Sequence, residues 1–161
     1  MRRLAAITVL VLGVLFAAWR LWPRKQEGDE AQIRRMVALM AQKAGERDVN
    51  GVLEHVSESY QGEGGDKREL KRYLLGYLLS SGAVAVIPAN LQLEGPIEAG
   101  KARISLVALL SRTPADKTES LHPDQLVGAH RIDAELQKEG GAEWRVATAT
   151  RRPASPEDWL R

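Results

Sequence analysis

Cysteine is absent from this chain of 161 residues. Its absence excludes disulfide bonds, thiol nucleophiles and metal sites built from thiolates. No H-E-x-x-H, G-x-G-x-x-G or Walker phosphate-binding motif occurs in the sequence either. His55 and Glu58 are three residues apart on one face of a helical segment, but two ligands do not define a metal site. The sequence therefore predicts no metal and no cofactor.

The chain also lacks a surplus of basic residues outside its N-terminus. It holds 23 Lys and Arg against 21 Asp and Glu, which gives a net charge of +2 and a pI near 9.0. Removing the five basic residues of the first 25 positions, where no acid occurs, leaves 18 basic and 21 acidic groups, a net charge of −3. A domain that binds nucleic acid carries a basic face. We therefore predict no nucleic acid partner.

The N-terminus holds one uncharged stretch, residues 4–19, with the sequence LAAITVLVLGVLFAAW. A membrane-spanning helix needs roughly 17–25 apolar residues. The stretch reaches residue 22 if the Arg20 side chain extends to the lipid headgroups. Trp19 and Trp22 suit the membrane interface, and Pro23 ends the helix. We predict a transmembrane anchor over residues 1–23, with membrane contact through residues 4–22, and a polar linker over residues 24–28.

The sequence leaves two questions about this anchor open. A cleaved signal peptide is the alternative, but a cut after Ala18 would place Phe16 where a small residue is required. Basic residues flank both ends of the stretch, so the positive-inside rule orients it only weakly. Because the stretch stands at the extreme N-terminus, as in an uncleaved export signal, we predict an inner-membrane protein with its domain on the periplasmic or extracytoplasmic side.

Three amphipathic helical segments follow the linker. Asp29 with Gln32 has the spacing of a capping box that opens the first helix, and Asp66 with Glu69 has the same spacing before the third. Asp48 caps the short second segment, and a glycine-rich turn over residues 61–65 separates it from the third. The third segment is apolar around most of its circumference, which predicts a largely buried helix.

From residue 83 onward the hydrophobic period changes from helical to alternating. Pro88 and Asn90 predict an edge position or a bulge in the first strand. In the third strand one face carries a histidine with three apolar residues, namely His130, Ile132, Ala134 and Leu136. Strict alternation in the last strand places on one face Trp144, Val146, Thr148 and Thr150. The pattern predicts an α+β, cone-shaped roll, in which three N-terminal helices pack on a curved antiparallel sheet of about four strands.

This order of elements resembles the nuclear transport factor 2-like superfamily, also called SnoaL-like or ketosteroid-isomerase-like. The resemblance covers residues 29–151 and leaves residues 152–161 as a polar tail. It rests on the stretch Ser57-Glu58-Ser59-Tyr60 after the second helix and on the closing strand that begins Glu143-Trp144-Arg145-Val146. The resemblance, to a membrane-anchored bacterial branch, implies an open cone and dimerisation through the sheet. It does not imply one activity, because the superfamily includes enzymes and proteins without chemistry.

Five residues are candidates for the inside of the cone. His130 shares its face with Ile132 and is a candidate general base. Tyr60, Tyr73 and Tyr77 can donate hydroxyl groups, and Tyr73 and Tyr77 lie one helical turn apart. Trp144 is a candidate stacking wall for a ligand. For each of them the alternative is ordinary core packing or a hydrogen-bonded position at the rim.

Two functions follow from these candidates. The leading hypothesis is a membrane-tethered envelope domain that binds a protein partner or a small apolar ligand without catalysis. The alternative is an isomerase- or dehydratase-type enzyme that uses His130 with Tyr60 or Tyr77. A third possibility is a defective or purely structural relic whose cone is filled by its own side chains. The catalytic alternative requires His130 to lie on the inner face of the sheet, close to a tyrosine hydroxyl.

Overall fold

The computed structural model describes residues 28–80, 82–83, 85–114 and 123–158. The predicted anchor over residues 1–23 and nearly all of the predicted linker lie outside these ranges. Within the described ranges, no helix combines the length and the apolar character needed to cross a membrane.

Between residue 28 and the main sheet the structure has three helices, as the sequence predicts for this part of the chain. They are α1 (Asp29–Gly45), α2 (Val49–Leu53) and α3 (Lys67–Ser80). Two short strands, β1 (Gln61–Gly62) and β2 (Gly65–Asp66), pair antiparallel in the glycine-rich segment between α2 and α3. The segment predicted as a plain turn is therefore a small hairpin.

The main sheet has four antiparallel strands in sequential order, β3-β4-β5-β6. The strands are β3 (Ala85–Leu93), β4 (Lys101–Ser111), β5 (Leu126–Glu139) and β6 (Glu143–Pro153). The helices pack on one face of this sheet, which confirms the α+β class. The core between the layers includes Ile33, Val56, Leu78, Ile104, Leu136 and Trp144.

Two of the three predicted helix caps form. Asp48 Oδ1 accepts a hydrogen bond from Gly51 N at 2.9 Å. Asp66 Oδ1 accepts from Glu69 N at 3.0 Å, and Glu69 Oε2 accepts from Asp66 N at 3.2 Å, so this capping box is complete. The predicted box at Asp29 is wrong, because Gly28 occupies the cap position without a side-chain bond. Asp29 Oδ1 instead accepts from Lys138 Nζ at 2.6 Å, which ties the start of α1 to β5.

The α3 helix buries only one side. Leu78 is buried, and Leu70 and Leu74 pack against the core. Tyr73 and Leu75 are 42% and 41% exposed. The prediction of a largely buried helix is therefore wrong, because α3 lies at the end of the layered core and packs against it along a single face.

The register of the sheet shifts at three places among the described residues, one of them between β4 and β5 at Leu110 and Ser111, and the other two are bulges that bear on the site. The first lies between Ala89 and Gln92 in the edge strand β3, where Asn90 adopts a φ of 49°, and it confirms the bulge predicted at Pro88 and Asn90. The second lies in β6, where Leu136 pairs with Val146 but Glu135 pairs with Thr148, so one residue of β6 is extra.

The bulge in β6 reverses the faces of the strand beyond it. Ala134 pairs with Ala149 and Ile132 pairs with Arg151, so Ala149 and Arg151 lie on the helix-covered face. The prediction that Thr148 and Thr150 share the face of Trp144 is therefore wrong, because strict alternation does not survive an inserted residue.

Candidate functional site: an apolar cavity with a polar end

A cavity of about 230 Å³ lies between the helices and the covered face of the sheet. Every layer of the domain contributes to its wall. The sheet supplies Val86, Pro88, Ile104, Leu106, Ala108, Ile132, Ala134, Val146 and Ala149, and the helices and the segments that follow them supply Met36, Val37, Met40, Ala41, Ala44, Val52, Val56, Tyr60, Leu70 and Leu74. Among the described residues of the wall, only Tyr60 carries a polar group that can form a conventional hydrogen bond.

Tyr60 is the one phenol in this wall, and it is buried at 3% exposure. Its hydroxyl lies beside Gly62, because a Cβ added at Gly62 would be 2.0 Å from Tyr60 Oη. Burial, followed by the nearby Glu63 carboxylate, raises the pKa of Tyr60 above its usual value. The Tyr60 phenol is therefore neutral at physiological pH, and its ring forms part of the cavity wall.

His130 lies on the covered face, one residue beyond the cavity wall. It pairs across the sheet with Ala108, which lines the cavity, and His130 Nε2 is 2.7 Å from the Tyr77 hydroxyl. His130 Nδ1 is buried and has no hydrogen-bond partner within the part of the chain that the structure describes. The structure therefore joins the predicted histidine to one of its two predicted tyrosine partners.

Arg151 is exposed, lies beyond the cavity lining beside the His130–Tyr77 pair, and was missed by sequence reasoning. It pairs with Ile132, a residue of the wall. Its guanidinium carbon lies 5.0 Å from the ring of Tyr73 and 5.5 Å from the ring of Tyr77, and Nη1 donates a hydrogen bond to the Tyr73 hydroxyl. The two tyrosine rings stack with their centroids 5.6 Å apart. We call Tyr73, Tyr77, His130 and Arg151 the polar end.

Burial shifts the pKa values of His130 and Tyr77 so that both rings stay uncharged beside the Arg151 cation. Burial, followed by the charge of Arg151, lowers the pKa of His130 below its ordinary 6.5. Burial also raises the pKa of Tyr77 above its ordinary 10.0. At neutral pH the imidazole is therefore uncharged, and the phenol keeps its proton.

Trp144, predicted as a candidate stacking wall, lies outside the lining of this cavity but lines a separate open groove together with Gln32, Met36 and Arg145. It is 4% exposed and packs in the core, and its Nε1 donates to Asp29 Oδ1 at 3.3 Å. Lys138 Nζ lies 5.6 Å from its ring. Trp144 therefore joins the start of α1 to the end of the sheet.

A second polar cluster joins the exit of α2 to the sheet. Ser57 is fully buried, and its Oγ donates to Glu139 Oε1 at 2.5 Å and accepts from Gln137 Nε2 at 3.0 Å. The Ser57 hydrogen bond, together with one from Gln137, lowers the pKa of Glu139. Ser57 N also donates to Val146 O at 3.0 Å. This cluster is structural, because the buried Ser57 is out of reach of a ligand.

No grouping of three or more potential metal ligands occurs within the described ranges. No family model matches the chain, and no curated protein matches it. Solved structures do match it. An NTF2-like protein of unknown function from Pseudomonas putida KT2440 superposes with a TM-score of 0.61 at 16% identity, over 80% of this chain and 89% of that one. The fold is NTF2-like.

Two further neighbours share this NTF2-like fold. Aln2 from a Streptomyces species gives a TM-score of 0.63 at 11% identity, over 80% of this chain and 94% of that one. A putative scytalone dehydratase from Novosphingobium aromaticivorans DSM 12444 gives 0.58 at 10% identity, over 79% and 85%. At these identities the similarity establishes the fold alone, so the function has to be argued from the cavity and its polar end.

Proposed function

We propose that this NTF2-like domain binds a small, mostly apolar molecule in its cavity while the chain is tethered to the cytoplasmic membrane. The observation that carries the proposal is the cavity of about 230 Å³ with its almost wholly apolar wall. An engineered apolar cavity of about 150 Å³ stays dry and binds benzene or xenon. A larger cavity of the same character suits one ring with substituents or a short alkyl chain.

A cavity-filling substitution tests the binding proposal. Ala134 lies in the wall and is buried, so Ala134→Leu would extend three more carbon atoms into the space. Ala38→Leu makes the same change on the exposed side of α1 and is the matched control. We expect calorimetric binding of benzene and octanol to the full chain and to Ala38→Leu, and at least a tenfold loss in Ala134→Leu. Equal binding by both variants would place the ligand elsewhere and refute the proposal.

The membrane tether is the second part of the proposal, and its support is the uncharged stretch over residues 4–19. Alkaline carbonate extraction of membranes tests it directly. We expect the full chain to stay in the membrane pellet and a Leu12→Arg, Val14→Arg variant to be released. A reporter fused to the C-terminus, active only outside the cytoplasm, tests the proposed orientation. Release of the unaltered chain by carbonate would contradict the tether.

A protein partner in the envelope and a homodimer through the sheet belong to the same proposal. The resemblance to the superfamily supports the dimer. Sedimentation velocity over a range of concentrations and cross-linking in whole cells test the two interactions. A full chain that stays monomeric at high concentration and cross-links to no envelope protein would leave the small ligand as its only partner.

The contact between His130 Nε2 and the Tyr77 hydroxyl supports a second candidate, a base-catalysed enzyme of the isomerase or dehydratase type. A nitrobenzisoxazole is a suitable probe, because removal of its ring proton by a base opens the N–O bond and yields a coloured phenolate. We expect turnover above the buffer rate that rises with pH as His130 loses its proton and that is lost in His130→Gln. His55→Gln, on the partly exposed α2 exit, is the control. Equal rates in both variants would remove the enzymatic candidate.

A further inference from the structure

From the polar end we infer the chemical class of the ligand: an apolar body that carries a single carboxylate, with the body in the cavity and the carboxylate on Arg151. This inference rests on the proposed binding function and adds the head group to it.

The position of Arg151 connects the cation to the cavity. Ile132, its neighbour across the sheet, and Ala149, two residues before it on the same face, both line the wall. His130 stands next to Ala108, which is also in the wall. None of the polar-end residues lines the cavity itself, so a molecule must extend past Ile132 and Ala149 to reach Arg151.

Arg151 has a charge but no acidic partner among the described residues. Its guanidinium donates to the Tyr73 hydroxyl and lies over the faces of Tyr73 and Tyr77. The backbone N of Arg151 donates to Glu63 Oε2 at 2.7 Å, which holds the strand but leaves the guanidinium free of a salt bridge within that part of the chain. The other arginines near this end are engaged differently, since Arg152 pairs with Asp158 at 2.8 Å.

The geometry selects a carboxylate over other head groups. A guanidinium offers five N–H donors in a planar fork that matches the two oxygens of a carboxylate. The guanidinium carbon lies 5.0 Å and 5.5 Å from the centroids of two tyrosine rings, and Nη1 donates to the Tyr73 hydroxyl, contacts that suit an arginine better than a lysine. One cation neutralises one negative charge. The buried Nδ1 of His130 has no hydrogen-bond partner among the described residues, so the polar end has hydrogen-bonding capacity that these residues do not use. An ammonium head group would be repelled by Arg151.

Three probes with the same eight-carbon body test the head group on the full chain, namely octanoate, octanol and octylamine. We expect octanoate to bind about tenfold more tightly than octanol, because a hydrogen bond to a charged group is stronger than a neutral one. Octylamine should bind more weakly than octanol. Isothermal titration calorimetry at neutral pH and low salt measures all three affinities.

Arg151→Gln is the decisive variant, and Arg103→Gln on the exposed outer face of β4 is the control with the same loss of charge. We expect Arg151→Gln to bind octanoate and octanol equally, and Arg103→Gln to keep the tenfold preference. If Arg151→Gln fails to fold, Arg151→Lys replaces it. That variant keeps the charge without the planar fork. We expect its preference for octanoate over octanol to fall from about tenfold to about threefold or less.

The outcomes separate the two proposals. Equal binding of all three probes by the unaltered chain, with weaker binding in Ala134→Leu, would overturn the carboxylate inference and keep the apolar cavity as the binding site. A preference for octanoate that survives in Arg151→Gln, or in Arg151→Lys without loss, would also overturn it. If none of the probes binds, both proposals fail together.

Discussion

The structure has no room for a side chain at Gly62. A Cβ added at Gly62 would lie 2.0 Å from Tyr60 Oη and 2.9 Å from the backbone oxygen of Ala149. We expect Gly62→Ala to lower the free energy of unfolding by about 1–3 kcal/mol, because the buried tyrosine must shift. Gly76 in α3 meets nothing within 4 Å. Gly76→Ala should raise the stability by about 0.5–1 kcal/mol, the ordinary gain from replacing a helical glycine. Urea denaturation of both variants measures the two signs, and a neutral Gly62→Ala would show that Tyr60 is free to move.

The imidazole of His130 gives the stability of the domain a dependence on pH. Its pKa is lowered in the folded chain, mainly by burial and then by Arg151, while Tyr77 faces it with a neutral hydroxyl. Between that lowered pKa and 6.5 the unfolded chain binds the proton that the folded chain does not bind. We therefore expect stability to fall as the pH drops below about 6.5. His130→Gln should show a smaller fall, measured as the difference in urea midpoints between mildly acidic and neutral pH. Parallel pH profiles for both proteins would contradict this account.

The connection from α2 into the sheet depends on one buried hydroxyl. Ser57 Oγ donates a hydrogen bond to Glu139 and accepts hydrogen bonds from Gln137 Nε2 and from the backbone N of Ser59. We expect Ser57→Ala to cost about 1–3 kcal/mol of unfolding free energy, because it leaves polar groups unsatisfied in a poorly hydrated place. Ser59→Ala removes a similar hydroxyl from an exposed position and should cost less. Thermal unfolding of the pair gives the comparison. Equal costs would mean that water replaces the Ser57 hydroxyl.

The helices and strands were predictable from local signals to different degrees. Asp66 and Glu69 form the capping box that their spacing predicts, since both partners belong to the same turn of chain. Asp29 has the same spacing with Gln32, yet its carboxylate turns to Lys138 and Trp144, which are more than a hundred residues away. A capping pattern cannot show that a distant cation offers a stronger partner than a local backbone N–H.

At the scale of the molecule, Asp158 fastens the C-terminal segment to the outer side of the sheet. It accepts from Arg152 Nη2 at 2.8 Å and lies 3.4 Å from Arg131, and its backbone oxygen accepts from Asn90 in the edge strand. The hydrogen bond from Arg152, followed by one from the backbone N of Ser155, holds the pKa of Asp158 far below its usual range. We expect Asp158→Ala to speed removal of the last residues by carboxypeptidase, with Glu157→Ala as the control on an exposed neighbour. The two variants should digest at the same rate only if the segment is held by other contacts.

Periodicity and turn residues within short segments are enough to predict three helices followed by a four-stranded antiparallel sheet, and the face that His130 shares with Ile132. Contacts between distant segments place Arg151 on the helix-covered face, bring Tyr77 rather than Tyr60 to His130, and bury Trp144 in the core. One extra residue in β6 reverses every later side chain, and its place is set by pairing with β5 rather than by any signal in β6 itself. The cavity is the space left between the helices and the covered face of the sheet, so its volume does not follow from the sequence of any single segment.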